Sequence, residues 1–410
     1  MKIPELLIPA GNREKMHTAI LYGADAVYVG IAGLSLRSQS AEMLLADLAS
    51  GIKDAHAQGV KVYGAVNTFA RNTDLDLMRQ IIPEVKAVGL DALIVSDPGM
   101  VRLLGDLAPR IPLHLSTQAN TTNTDAVRFW QDQGVRRIVL ARELNLKEIS
   151  EIAAAVPEME LEIFVHGAMC VAYSGRCYLS AFRNRRSANQ GDCSQPCRWE
   201  YLLHESTRPT EPLVLEEDER YSYLLSSRDL CLIEYLPEIL ASGVVSLKIE
   251  GRMKSSYYVA MVTRTYRQAL DTLIRHTANY RSKPEWLDEL GKISNRGYTT
   301  GFAFSEEKIN ETSPDIKYIQ THEPAGTILE YDATRKIILL DVRNRLTAGD
   351  ELELILPEST VKIDSLTMLD FNGNRLATAH GGNKVYFPWE GRAPVGAMIR
   401  KAIRPKAEDN

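Results

Sequence analysis

Residues 59–97 read GVKVYGAVNTFARNTDLDLMRQIIPEVKAVGLDALIVSD. Gly59 precedes a short β-rich run, KVYGAVN. An amphipathic helical pattern, TDLDLMRQIIPEVKAVG, follows and ends on Gly89, and a second β-rich run, ALIVSD, then begins. Glycine commonly sits just past a helix C-terminus, because it takes positive φ without a Cβ clash. Strands that alternate with helices form parallel βαβ units.

The unit recurs in both directions. Gly23 precedes AVYVG, Gly134 precedes RRIVLAR and Gly243 precedes VSLKIEG. LLIPA (6–10), PLHLST (112–117) and LEIFVHG (161–167) complete eight strands. Eight units over about 250 residues is the size of a (β/α)8 TIM-like barrel, which is predicted for residues 1–275. A doubly wound open sheet is the alternative, but no G-x-G-x-x-G follows the first strand, where a dinucleotide fold needs it. Residues 201–223 break the rhythm and read as a polar insertion. The helix near Ser255 carries Tyr258, Val262, Tyr266 and Ala269 on one face, a core stripe. Residues 276–320 read as a linker with a helical extension. From about Pro324 the period shortens: GTILEY, KIILLDV, DELELIL, VKIDSLTML, KVYFPW and GAMIRKAI are short strands with Gly, Asp or Asn turns. Residues 321–410 are therefore predicted to form a small all-β barrel domain.

The chain has 410 residues, 45% hydrophobic and 25% charged, with a net charge of −5. That charge excludes a general polyanion binder, so any nucleic-acid contact needs a local basic patch. No apolar run approaches the ~18 residues of a membrane span. MKIPELLIPAGNREK has no long apolar core, so a cytoplasmic, reducing setting is expected.

Four of the five cysteines lie in one glycine- and arginine-rich stretch, as Cys170, Cys177, Cys193 and Cys197, spaced C-x6-C-x15-C-x3-C. The polar neighbours argue against buried packing, and a reducing compartment argues against disulfides. The set reads as a metal site, and spacing alone leaves open whether the metal is zinc or an iron–sulfur cluster. Arg176, Arg183, Arg185, Arg186 and Arg198 in this stretch face the single acid Asp192, either as a nucleic-acid patch or as a solvated loop.

HGAMCVAYSGRC followed by NQGDCSQPCRWEY resembles the signature of the peptidase U32 family. Within it the chain most resembles the branch of tRNA uridine hydroxylases that make 5-hydroxyuridine at the wobble position with prephenate. The likeness extends through ELLIPAGN, GADAVYVG, SSRDL (226–230), SLKIEGRMKSSYYV (246–259) and NRGYTTGF (295–302), nearly the whole chain. The resemblance implies a 4Fe–4S cluster on Cys170, Cys177, Cys193 and Cys197, with Cys231 as the spare thiol. It also implies tRNA and a small dicarboxylate, prephenate, as partners, and it allows a homo- or hetero-oligomer with a related family member.

In a (β/α)8 barrel the chemistry sits at the C-terminal ends of the strands. Those ends here supply Asn67, Ser96, Asp97, Ser116, Gln118, Asn120, Arg142, Glu143, His166, Lys248, Glu250 and Arg252. Asn67, Gln118, His166, Glu250 and Arg252 are the candidates for chemistry. His166 would be an acid/base or a donor to a cluster. Arg252 with Lys254 would hold a carboxylate, or Arg252 would simply pair with Glu250. Arg183, Arg185 and Arg186 are the candidates for tRNA phosphates, with Arg392, Arg400, Lys401 and Arg404 as a second basic group. Tyr173, Tyr178, Phe182 and Trp199 offer a stacking platform for a splayed base. The rival readings are a U32-type, collagenase-like peptidase, with a Cys170–His166 pair as its conceivable machinery, and a hydroxylase of ribosomal RNA. A scaffold without chemistry is a third class. H-E-x-x-H and G-x-S-x-G are both missing, which favours the hydroxylase.

Overall fold

The structure, a computed structural model, describes residues 3–31, 33–35, 42–170, 172–199, 228–276, 279–304, 318–363 and 367–403. The insertion at 201–223 and Arg404 lie outside these. The eight expected strands are present as Glu5–Pro9, Ala26–Ile31, Lys61–Val66, Ala92–Val95, Leu113–Leu115, Val135–Val139, Glu160–Ala168 and Ser246–Ile249. Neighbours along this series pair in parallel, and the last strand pairs with both the seventh and the first, which closes the barrel. An open sheet would leave two edges unpaired; here none remains along the barrel.

Alternate residues of each strand point into the lumen, and the lumen has two halves. Leu7, Ala26, Tyr28, Tyr63, Ala65, Ala92 and Ile94 pack there as one apolar cluster. Opposite them lies a buried charge network. Arg137 of the sixth strand reaches Glu5 of the first at 2.6 Å and Glu162 of the seventh at 3.2 Å, and Lys248 of the eighth meets Glu162 at 2.8 Å. Strands six and one are not neighbours, so the Arg137–Glu5 contact crosses the lumen. Burial alone would raise the Glu162 carboxyl, but Lys248 and Arg137 outweigh it and hold it at about 2.

After the barrel come a helix, Pro284–Gly291, and an antiparallel sheet of eight strands that begins at His322–Asp332 and ends at Met398–Ala402. Ile328, Ile338, Leu340, Leu354, Phe387 and Ile399 centre a second core, separate from the barrel's. Between them, Tyr22 Oη donates to the Ile355 carbonyl at 2.8 Å and accepts from the Met398 N–H at 3.2 Å.

Arg400 fastens the same junction. Its Nη1 and Nη2 donate to the two Glu289 oxygens at 2.9 and 3.0 Å, and its Nε donates to Glu353 at 2.7 Å. Arg400 is fully buried, which corrects its place among the RNA candidates. Lys401 is engaged as well, with Glu323 and Asp350, and Arg392 reaches Glu358. Removing one partner of a buried ion pair leaves the other uncompensated. Arg400→Met should therefore cost about 3 kcal/mol of unfolding free energy in urea, at the weak end of such losses because Glu289 keeps Lys292. A loss below about 1 kcal/mol would show that this pair does not fasten the junction.

Candidate functional site

The C-terminal ends of the barrel strands open onto a cavity of about 130 Å³. Cys170, Cys177, Cys193 and Cys197 all line it. So do Asn67, Gln118, Glu250 and Arg252, four of the five residues expected to carry chemistry. Residues far apart in sequence thus share one space, because the barrel brings every strand exit to one rim.

The cysteine segment is folded over that rim by hydrogen bonds rather than by apolar burial. Gly167, at φ +110°, lets the seventh strand pass the eighth: a Cβ there would stand 2.5 Å from the Glu250 carbonyl oxygen. Ser174 then donates to Glu143 through its N–H at 2.6 Å and its hydroxyl at 2.5 Å. Arg176 Nε donates to the Gln118 carbonyl at 2.8 Å, and its guanidinium covers the Phe69 ring. The Cys177 N–H donates to Asn189 Oδ1 at 3.1 Å. Ser180, on the short helix Leu179–Asn184, accepts from the Ser194 N–H at 3.0 Å and so ties the helix to the Cys193–Cys197 segment.

Two of the thiols also accept backbone donors: Leu179 N–H to Cys177 Sγ and Gln195 N–H to Cys193 Sγ, each at 3.4 Å. No disulfide joins any of the described cysteines. Among the described residues no three His, Cys, Asp or Glu side chains converge on a single ion position, and the four thiols line one cavity. Four unlinked thiols around one cavity, with N–H donors to sulfur, are a donor set that fits an iron–sulfur cluster. Cys231 lies instead in the hydrophobic core, does not line the cavity, and has its thiol pushed up to about 12 by burial.

Asn67 and Gln118 face the cavity but hold each other, Asn67 Nδ2 donating to Gln118 Oε1 at 3.2 Å; Ser116 donates to the same oxygen. Their geometry shapes the wall. His166 departs from expectation. It is 1% exposed, does not line the cavity, and sits among the rings of Tyr266, Tyr298 and Tyr258 at 5.5, 5.4 and 6.0 Å. Burial, then the Lys254 charge, pushes its pKa down to about 3. His166 thus forms no pair with Cys170 and is not placed for acid/base work in the cavity. Alternation with Glu162 and Phe164 would turn His166 inwards, but the pairing with the eighth strand shifts register between Lys248↔Phe164 and Ile249↔His166, and His166 meets the helix Ser256–Arg275 and the strand Tyr298–Thr299 instead. In the same layer Arg296 of NRGY donates twice to Asp229 of SSRDL, at 2.6 and 3.0 Å, a buried pair that joins two of the sequence motifs.

Lys254 is also displaced from its expected role. It lines a separate groove of about 420 Å³ with Tyr318 and Tyr258, and its Nζ donates to the Ser294 carbonyl at 3.2 Å. The cations that do line the cavity with Arg252 are Lys248 and Arg142. They lie against two rings: Arg142 on Phe164 at 4.3 Å, Lys248 on Phe164 at 5.6 Å and on Tyr28 at 4.7 Å, and Arg252 on Tyr28 at 5.9 Å. Tyr28 and Phe164 were not among the sequence candidates, although their inward parity within AVYVG and LEIFVHG is the signal that places them there. On the outer surface of the cysteine segment Arg183, Arg185 and Arg186 are exposed, and Arg186 is held by Asp192 at 2.6 Å. Tyr178 and Phe182, 80% and 83% exposed, stand beside them one helical turn apart.

A family model described as peptidase family U32 matches residues 11–313, and one described as the peptidase family U32 C-terminal domain matches residues 320–400. The chain is 38% identical to the tRNA hydroxylation protein P1 of Bacillus subtilis, over 98% of this chain and 95% of that protein. It is 35% identical to the 23S rRNA 5-hydroxycytidine C2501 synthase of Escherichia coli, over 98% of this chain and 58% of that protein. It is 30% identical to a collagenase of Porphyromonas gingivalis, over 98% and 96%.

The buried histidines give a pH test. His166 and His114 both have pKa values pushed down to about 3, against ~6.5 in an unfolded chain. Between those values the unfolded chain binds the extra proton, so stability is lost as pH falls from about 6.5 towards 3, by up to ~1.4 kcal/mol per pH unit for each histidine. His166→Gln should flatten the decline measured by urea unfolding between pH 6.5 and 4.5. Parallel curves for parent and variant would refute the neutral, buried assignment.

Proposed function

The chain belongs to peptidase family U32, and on that premise we propose that it hydroxylates RNA. In this reading the wobble uridine of tRNA becomes 5-hydroxyuridine, prephenate is the co-substrate, and Cys170, Cys177, Cys193 and Cys197 hold a 4Fe–4S cluster. The observation that carries it is the single cavity at the barrel mouth, lined by four thiols and by the polar strand exits. The names of the Bacillus subtilis and Escherichia coli relatives support RNA as the substrate class. When bound, the cluster would supply one-electron chemistry beside the substrate.

The chain's own groups account for the rest. The Leu179 and Gln195 N–H groups donate to the Cys177 and Cys193 sulfurs and hold their orientation at the cavity. Arg183 and Arg185, exposed beside Tyr178 and Phe182, offer phosphate contacts next to stacking faces. The peptidase reading has a named relative in its favour but loses its machinery, because His166 is walled off from Cys170. Ribosomal RNA remains the second reading, favoured by the Escherichia coli relative.

Anaerobic purification with iron and sulfide analysis tests the core of this. Ala at Cys170, Cys177, Cys193 or Cys197 should each remove iron and hydroxylation together, while Cys231→Ala keeps most of the iron. Loss of iron in Cys231→Ala with retention in Cys197→Ala would overturn the ligand set. Mass spectrometry of tRNA and ribosomal RNA after incubation decides between the two substrates.

RNA docking is tested through salt. With iron content matched, Ala at Arg183 and Arg185 together should weaken tRNA binding. The slope of log affinity against log salt should fall by about one for each phosphate that is no longer held. An unchanged slope would place the RNA elsewhere.

A further inference from the structure

The row of cations on the cavity wall has one group without an assignment. Lys248, in the middle, is neutralised by Glu162 at 2.8 Å. Arg142 stands at the Phe164 end of the row and Arg252 at the Tyr28 end. The Arg142 Nε is buried and has no hydrogen-bond partner. A desolvated guanidinium N–H without an acceptor is costly, and here it belongs to a side chain that lines a cavity with room for a small molecule. The guanidinium carbon lies over the Phe164 ring at 4.3 Å, and the side chain lines the cavity.

We propose that Arg142 is the anchor for a carboxylate of a small organic anion bound in this cavity, with Arg252 as the second cation of the site. This rests on the co-substrate reading above and adds a binding residue to it. A planar fork matches a carboxylate through two parallel hydrogen bonds. The cysteines aside, the cations that face the site outnumber the carboxylates. Arg142, Lys248 and Arg252 oppose Glu250 on the lining, and Glu162 lies beneath Lys248. A second positive centre beside the anchor suits a dicarboxylate better than a monoacid. The backbone phosphate of an RNA is the less suitable occupant. Arg142 lies at the level of the strand exits, under a segment tied down by Ser174, Arg176 and Ser180, and the cavity volume is about 130 Å³.

The test uses the iron-loaded protein under anaerobic conditions, with titration calorimetry of prephenate, malonate and inorganic phosphate. Parent protein should bind malonate, and Arg142→Met should weaken it at least tenfold while iron content and the cluster absorption spectrum stay as in the parent. Arg142→Lys keeps the charge over Phe164 but loses the fork, and should fall between the two; it also stands in if the Met variant fails to fold. Equal affinity in parent and Arg142→Met overturns the proposal. So does a variant whose cluster spectrum changes while anion affinity does not, since Arg142 would then balance cluster charge. Tighter binding of phosphate than of malonate also overturns it and reassigns the site to RNA backbone. If malonate binds through Arg142 but prephenate does not bind, the anchor stands and the co-substrate reading fails. If neither dicarboxylate binds the parent, both fall.

Discussion

The Glu162 carboxylate, buried between Lys248 and Arg137, is the constraint on which the rest of the barrel depends. Each of these charges costs several kcal/mol to remove from water, and each is retained only because its partners are at hydrogen-bonding distance. The network therefore specifies geometry more than it adds stability. Arg137 also reaches Glu5 and Glu160, and Glu5 accepts from Tyr63 at 2.7 Å. Strands one, three, six, seven and eight are thus locked in register through the lumen. A slip of one residue would turn these charges outwards into the apolar layer beneath the helices.

The same network sets the floor of the cavity. Lys248 is held down by Glu162 and lies between the Tyr28 and Phe164 rings. Those rings also carry Arg252 and Arg142. The lower lumen is a closed electrostatic unit, and Arg142 and Arg252 line the cavity above it together with Glu250. Above it the cysteine segment has a different physics. It is held by Glu143, Gln118, Asn189 and Ser180, with Ser174, Arg185 and Gln195 in left-handed backbone. Few apolar contacts secure it, so it belongs to the low-stability end of the molecule. A ligand bound by its thiols would stabilise the segment by mass action.

The barrel was legible in the sequence because its signal is local and repeated: a glycine ends most of its helices and a β-rich run follows within two residues. The C-terminal domain was legible for the same reason, through a change of period. The composition of the cavity wall was partly legible, because strand exits converge whatever their spacing in the chain. What failed depended on partners far away in sequence. Arg400 reads as one member of a basic tail, and only Glu289 and Glu353 reveal it as a buried clamp. His166 reads as a mouth residue, and only the tyrosines of the long helix and of NRGY show that it faces outwards into a packed layer. Lys254 lies two residues past Arg252, yet a sharp turn at Gly251, φ +151°, sends the two into different cavities.

These corrections constrain how a polymer and a small anion can share the molecule. The C-terminal sheet offers little free positive charge near the junction, because Arg400 and Lys401 are consumed by carboxylates. The cysteine segment does carry exposed cations, Arg183 and Arg185, and beside them the two most exposed large apolar side chains described, Tyr178 and Phe182. Their helix, Leu179–Asn184, begins two residues after Cys177 and is tied to Ser194 between Cys193 and Cys197. A polynucleotide on that surface would therefore lie on one side of the thiols, and the cation row on the cavity floor on the other. Under the proposed function a polymer and a small anion would use different cations, Arg183 and Arg185 for the one and Arg142 and Arg252 for the other. The segment that separates them is held to the rim by the hydrogen bonds of Ser174, Arg176 and Ser180.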